Sequence, residues 1–165
     1  MIEALTVTHT SFMERALELA RQAADLGEVP VGAVVVLDGI IVGEGFNRRE
    51  TEKDPLAHAE IRAITDAAKR LGRWRLSECT LYVTLEPCPM CAGALVNSRI
   101  DHLVFGARDP KAGAVVSLFE LVNDSRLNHE ISVDEGVHAA ACALLLKEFF
   151  KKRRAENKVS KKTND

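Results

Sequence analysis

Thr80-Leu81-Tyr82-Val83-Thr84-Leu85-Glu86-Pro87-Cys88-Pro89-Met90-Cys91-Ala92-Gly93-Ala94-Leu95-Val96-Asn97-Ser98, followed by His102-Leu103-Val104-Phe105, is the stretch from which the fold can be read. Thr80 to Thr84 predicts a strand, a short helix opens at the cysteine pair and runs to Ser98, and His102 to Phe105 predicts the next strand. Upstream, Val31 to Leu37 reads as a buried strand, Asp38-Gly39 as a two-residue hairpin turn, and Ile40 to Phe46 as the returning strand. Before the hairpin, Phe12, Ala16, Leu17, Ala20, Ala23 and Ala24 keep an apolar stripe at helical spacing from Thr10 to Leu26, and Gly27 sits where that helix stops. Asn47 to Pro55 is polar and charged, hence a loop, and a helix is expected from His58 to Leu71.

Downstream, the next strand candidate is Glu130 to Val133. The intervening stretch contains Val115-Val116-Ser117-Leu118-Phe119-Glu120-Leu121, which predicts a helical turn or two. So long a connection suits a crossover between parallel strands and not a tight hairpin. The last helix runs from about Gly136 into the C-terminal tail. Together these elements predict an α/β fold, a three-layer α/β/α domain with a five-stranded mixed sheet whose last two strands are parallel.

The chain has 165 residues, 47% of them hydrophobic and 28% charged, which fits one domain and excludes wholesale disorder. Its longest apolar run, Ala139 to Leu146, is far short of the roughly 20 residues that cross a bilayer. The first residues lack the order of a secretory signal, so a cytoplasmic protein with no membrane partner is expected. Charge divides the chain into a body, residues 1–150, and a basic tail, residues 151–165, that continues the last helix. The body carries 15 basic and 22 acidic side chains, the tail seven and two. A basic tail on an acidic body suits a polyanionic partner, and it equally suits a solvated helix end whose cations face the negative pole of the macrodipole.

Cys79 and Cys142 stand alone and read as small buried hydrophobes, whereas Cys88 and Cys91 are spaced as a metal or redox pair. In a first helical turn both sulfurs lie on one side, and a helix N-terminus favours the thiolate that binds metal. A histidine opening another helix, His58, brings a third ligand, and this donor set favours zinc. Three protein ligands leave the fourth place for water, as in catalytic zinc sites. A fourth ligand from His9, His102, His129, His138, Cys79 or Cys142 would make the site structural. Glu60 is the candidate proton carrier. Residues two apart share no face in mid-helix, so His58 must sit at the first turn for Glu60 to face the same point. His-x-Glu joined to Pro-Cys-x-x-Cys is the signature of zinc nucleobase deaminases.

Over nearly its whole length the chain resembles the bacterial tRNA-specific adenosine deaminases, within the cytidine deaminase-like zinc enzymes. The zinc segments, His58-Ala59-Glu60 and Leu85 to Ala94, are shared with guanine and cytosine deaminases. Val29 to Val35, Gly43 to Asn47, Phe105 to Ala114, Leu127-Asn128-His129 and Phe149 to Arg154 extend the likeness, and the later segments point to tRNA. The resemblance implies one zinc ion per subunit on His58, Cys88 and Cys91. It implies hydrolytic conversion of adenosine to inosine at the wobble position of a tRNA anticodon, chiefly that of an arginine tRNA. A zinc-activated water attacks C6 there, with Glu60 as catalytic general acid and base. It also implies a homodimer that holds the anticodon stem-loop, with substrate contacts from Val29, Asn47, Ala59, Leu85, Arg108, Asp109, Lys111, Asn128 and Phe149.

Taken alone, the sequence favours Asn47 as a loop residue held by its own turn hydrogen bonds, and one of Phe149 and Phe150 is ordinary core. Relatives often carry an acidic residue just before the cysteine of the last helix, where this chain has Ala140-Ala141-Cys142. The segment Ala114 to Ser117 is bulkier than in relatives. Two rivals remain open on sequence: a deaminase of free guanine or another nucleobase, and a non-catalytic zinc-stabilised RNA-binding module in which Glu60 is incidental.

Overall fold

The computed structural model describes the backbone of residues 2–163 and the side chains of residues 9–163; the last two residues of the predicted tail lie outside them. In chain order the elements are α1 (Ile2–Asp25), β1 (Gly32–Leu37), β2 (Ile40–Phe46), α2 (Arg49–Glu52), α3 (Ala59–Leu71), β3 (Thr80–Leu85), α4 (Pro89–Asn97), β4 (His102–Ala107), β5 (Ser132–Glu135) and α5 (Ala139–Thr163). The strands form one sheet in the order β2-β1-β3-β4-β5. β1 pairs antiparallel with β2 and β3, while β3–β4 and β4–β5 are parallel. This is the three-layer mixed-sheet architecture of the cytidine deaminase-like fold.

Side-chain alternation explains the layers, because successive residues of a strand face opposite sides. Ala33 and Val35 of β1, Leu81 and Val83 of β3, and Leu103 and Phe105 of β4 pack with Ala59, Ala63, Ala67, Ala92 and Leu95 of α3 and α4. Val34, Val36, Tyr82 and Val104 face the other way, onto Met13, Ala16 and Leu17 of α1 and Cys142 of α5. Cys79 and Cys142 are both buried and free. The sequence of α3 is alanine-rich where it meets β2, and β2 answers with glycine. A Cβ on Gly45 would lie 2.5 Å from the Ala59 carbonyl oxygen and 2.7 Å from the Arg62 Cβ. The missing side chain therefore lets the first turn of α3 sit directly on the strand.

Helix α1 begins at Ile2, earlier than the predicted Thr10, and four further segments differ from the sequence expectation, each for a physical reason. The residues 115–121 form irregular turns, not helix, because the N–H groups of Val115, Val116 and Ser117 go to the Glu86 carboxylate instead of to carbonyls one turn back. The 47–55 loop holds the one-turn helix α2, whose Glu50 and Thr51 N–H groups are accepted by the Glu28 carboxylate. β5 starts at Ser132, two residues later than predicted, since His102 pairs with Ser132 and Phe105 with Glu135. The apolar Ile131 that suggested an earlier strand is instead a core residue bonded to the Val122 carbonyl. α5 begins at Ala139, after left-handed backbone at Gly136 (φ 87°) and His138 (φ 54°).

Candidate active site

The site lies where β3 ends and the N-termini of α3 and α4 converge. His58 is the N-cap of α3 (φ −79°, ψ 152°) but does not cap it with its own side chain. Asn47, at the end of β2, does that work: its Oδ1 accepts the Ala59 N–H at 2.9 Å, and its Nδ2 donates to the Val29 carbonyl at 3.0 Å. The imidazole of His58 is thereby free to turn toward α4. Cys88 is the N-cap of α4, Pro89 fixes its first turn, and Cys91 follows inside the helix. His58 Nδ1 lies 3.7 Å from Cys88 Sγ and 3.5 Å from Cys91 Sγ.

These three ligand atoms lie within 4.8 Å of one another, a separation that one tetrahedral ion spans with minor adjustment. Among the described residues, no other His, Cys, Asp or Glu joins the group. Of the alternative fourth ligands, Cys79 is enclosed in the core and Cys142 is on the opposite side of the sheet. His9 and His102 belong to a different cluster. Two thiols and an imidazole with one position left for water are the donor set of an open zinc site.

Charge at the site follows from these contacts. The hydrogen bond from Cys91 holds the Cys88 thiol down at about 4, with burial opposing and His58 assisting. Cys91 is pushed up, first by Cys88 and then by burial. The bond to Cys88 raises the His58 imidazole, against burial and with help from the Glu60 charge. Glu60 is buried, with only 4% of its surface exposed. Burial raises its carboxyl, and a hydrogen bond with Cys91 partly offsets this. With His58 at the cap, the two-residue spacing does bring Glu60 to the same point as the ligands. A buried carboxyl whose pKa is raised above the usual carboxylate range holds its proton more readily than an exposed one, which suits a group that takes up and gives back protons.

A cavity of about 360 Å³ opens over these groups. Its walls include Val29, Asn47, His58, Glu60, Leu85, Cys88, Asp109 and Phe149, all singled out by the sequence. Phe150 also lines it and is 43% exposed, while Phe149 is half-buried beneath the Arg153 guanidinium, 5.0 Å from its ring centroid. Arg108 does not reach the cavity wall; it points outward into an ion pair with Glu135, Nε to Oε2 at 3.0 Å. Lys111 and Asn128 are exposed outside the wall, and the Ala59 N–H is already taken by Asn47.

Sequence reasoning assigned no role to two buried carboxylates that hold the cavity rims. Glu28 and Glu86 are each 2% exposed. Glu28 secures α2 through Glu50 N–H, Thr51 N–H and the Thr51 hydroxyl. Glu86 accepts N–H bonds from Asp109, Val115, Val116 and Ser117 and a hydroxyl bond from Ser117. Gly113 packs so closely against the Glu86 carboxylate that a Cβ there would overlap it. The signal was an acid wedged between buried runs, such as Leu81 to Leu85 and Pro87.

The fold and the cavity define a deaminase of the cytidine deaminase-like class, and the family model described as MafB19-like deaminase matches residues 7–154. A tRNA-specific adenosine deaminase of Haemophilus influenzae is 53% identical over 150 residues, covering 90% of this chain and 87% of that one. One of Bacillus subtilis is 48% identical over 151 residues, covering 92% and 94%. A solved structure described as belonging to A-to-I editing by tRNA:A34 deaminases superposes with a TM-score of 0.80 at 45% identity, covering 83% of this chain and 99% of that one. The guanine deaminase of Nitrosomonas europaea superposes at 0.75 with 27% identity, covering 85% and 83%. The chain belongs to the tRNA-specific adenosine deaminase family. No described helix is long and apolar enough to cross a membrane.

Proposed function

We propose that this protein converts adenosine to inosine at the wobble position of a tRNA anticodon, with an arginine tRNA as chief substrate. The observation that carries the proposal is the buried Glu60 carboxyl facing the same cavity as a three-ligand His58-Cys88-Cys91 group with no fourth protein ligand among the described residues. Zinc held by those three residues supplies, when bound, Lewis-acid activation of water at neutral pH. Glu60 takes the proton of the attacking water, delivers it to N1 of the purine, and returns a proton to the departing amine. The water oxygen ends on C6, and the nitrogen leaves as ammonia.

Binding rests on the cavity walls. Val29 and Leu85 offer apolar surface to the base, and Asn47 keeps one N–H and one oxygen lone pair beyond its two structural bonds. Phe149 and Phe150 at the rim supply aromatic surface on which unpaired bases stack. The cationic side chains of α5 suit phosphates, and Arg108, Lys111 and Asn128, exposed outside the cavity lining, would serve an RNA that extends beyond it. A homodimer, the expected assembly, extends that surface. The tRNA substrate and the four unpaired cysteines support a cytoplasmic setting. Purified protein incubated with an adenosine-wobble arginine tRNA, then digested for nucleoside mass spectrometry, forms inosine at that position. Turnover of free guanine without inosine in the tRNA would refute the proposal.

A further inference from the structure

At the other end of the sheet, on its α1 side, three side chains from three elements converge without any part in the deamination site. His102 Nε2 lies 2.8 Å from Asp134 Oδ2, and His9 Nε2 lies 3.8 Å from the same oxygen. The two imidazoles stack with centroids 6.0 Å apart, and the three ligand atoms lie within 4.8 Å of one another. The register of β4 and β5 builds the pair: His102 sits opposite Ser132 and Val104 opposite Asp134, so Asp134 shares a face with His102 one pleat on.

The second nitrogen of each ring is already engaged. His9 Nδ1 meets the Tyr82 hydroxyl at 2.7 Å, and His102 Nδ1 meets the Ser132 hydroxyl at 2.6 Å. The Ser132 hydroxyl also lies 3.2 Å from the Asp101 carbonyl oxygen, so the His102 ring is held in place with its Nε2 turned to the Asp134 carboxylate at 2.8 Å. His9 Nε2, at 3.8 Å, is too far from the same oxygen to hydrogen-bond, yet the spacing suits two ligands of one ion. Outer partners on the non-ligating ring nitrogens are also what metal-binding histidines have. The His9 and His102 side chains are each 24% exposed and Asp134 is 56% exposed, so an ion reaches them from solvent.

We propose that His9, His102 and Asp134 form a second metal site, distinct from His58-Cys88-Cys91, for a divalent first-row ion of the nickel, copper and zinc type. Two imidazoles and one carboxylate, with water completing the shell, suit such ions and not magnesium or calcium. A bound ion ties α1 to the β4–β5 edge.

The test is calorimetric titration of tag-free, zinc-loaded protein with nickel chloride, with zinc per chain measured before and after. One nickel per chain is expected with no loss of zinc. In His9→Ala and in Asp134→Asn, the second a conservative change at an exposed side chain, the affinity falls at least about tenfold. Absence of nickel binding, nickel bound only as zinc is displaced, or an equivalent that survives unchanged in both variants overturns the proposal.

Discussion

Replacing Glu86 tests how the cavity rim is held. Burial pushes this carboxyl up, but the Ser117 hydroxyl and the N–H groups of Val116, Ser117 and Asp109 outweigh it and hold it at about 2, below the usual 4.5. That difference corresponds to about 3 kcal/mol of folding free energy. Because the folded value is the lower one, the contribution is complete above the unfolded pKa and disappears as pH falls toward about 2. Glu86→Gln places an amide N–H₂ among donors, and Glu86→Ala leaves all of them without an acceptor. Each variant loses about 3 kcal/mol at neutral pH in urea unfolding, and the gap from the native protein narrows steadily below pH 4.5. The segment 109–117 loosens at the same time, so KM for tRNA rises more than kcat falls. Native-like unfolding at neutral pH, or a stability gap that does not change with pH, would refute this role.

Gly45→Ala forces a Cβ into the Ala59 carbonyl and Arg62 Cβ; it should cost ~1–3 kcal/mol in thermal or urea unfolding and lower metal retention by moving His58. Neutralising Lys151, Lys152 and Arg154 together, three exposed cations of α5, should raise KM for tRNA while leaving kcat and free-nucleoside binding unchanged. The log–log salt slope of tRNA binding should become shallower by about 0.7 for each phosphate that is no longer neutralised, which equilibrium binding at several salt concentrations measures.

Much of the sheet was legible because strand burial is local information. Thr80 to Leu85, the Asp38-Gly39 turn and the alternation through Val34 and Val35 each specify their neighbours within a few residues. The grouping of the three candidate ligands was equally legible, since Cys88 and Cys91 are set by one helical turn and His58 by a motif two residues from Glu60. What escaped depended on partners far along the chain. Glu86 redirects the backbone of residues 115–117, and Glu28 caps α2 from 22 residues away, so neither segment's own composition reveals its shape. The shift of β5 has the same origin, because a short, exposed edge strand takes its register from β4 and not from its own hydrophobicity. Asn47 shows both influences: its motif drew attention to it, but only the fold shows its amide bridging Val29 and Ala59.

The most direct measurement is made on Glu60→Gln: zinc per chain by elemental analysis, and inosine formed in a single turnover on wobble-adenosine tRNA. Full zinc content with a rate reduced by about 10²–10⁴-fold is the result predicted by the proposal, in which the carboxylate would move protons and hold no metal. Full zinc content with undiminished inosine formation would contradict it.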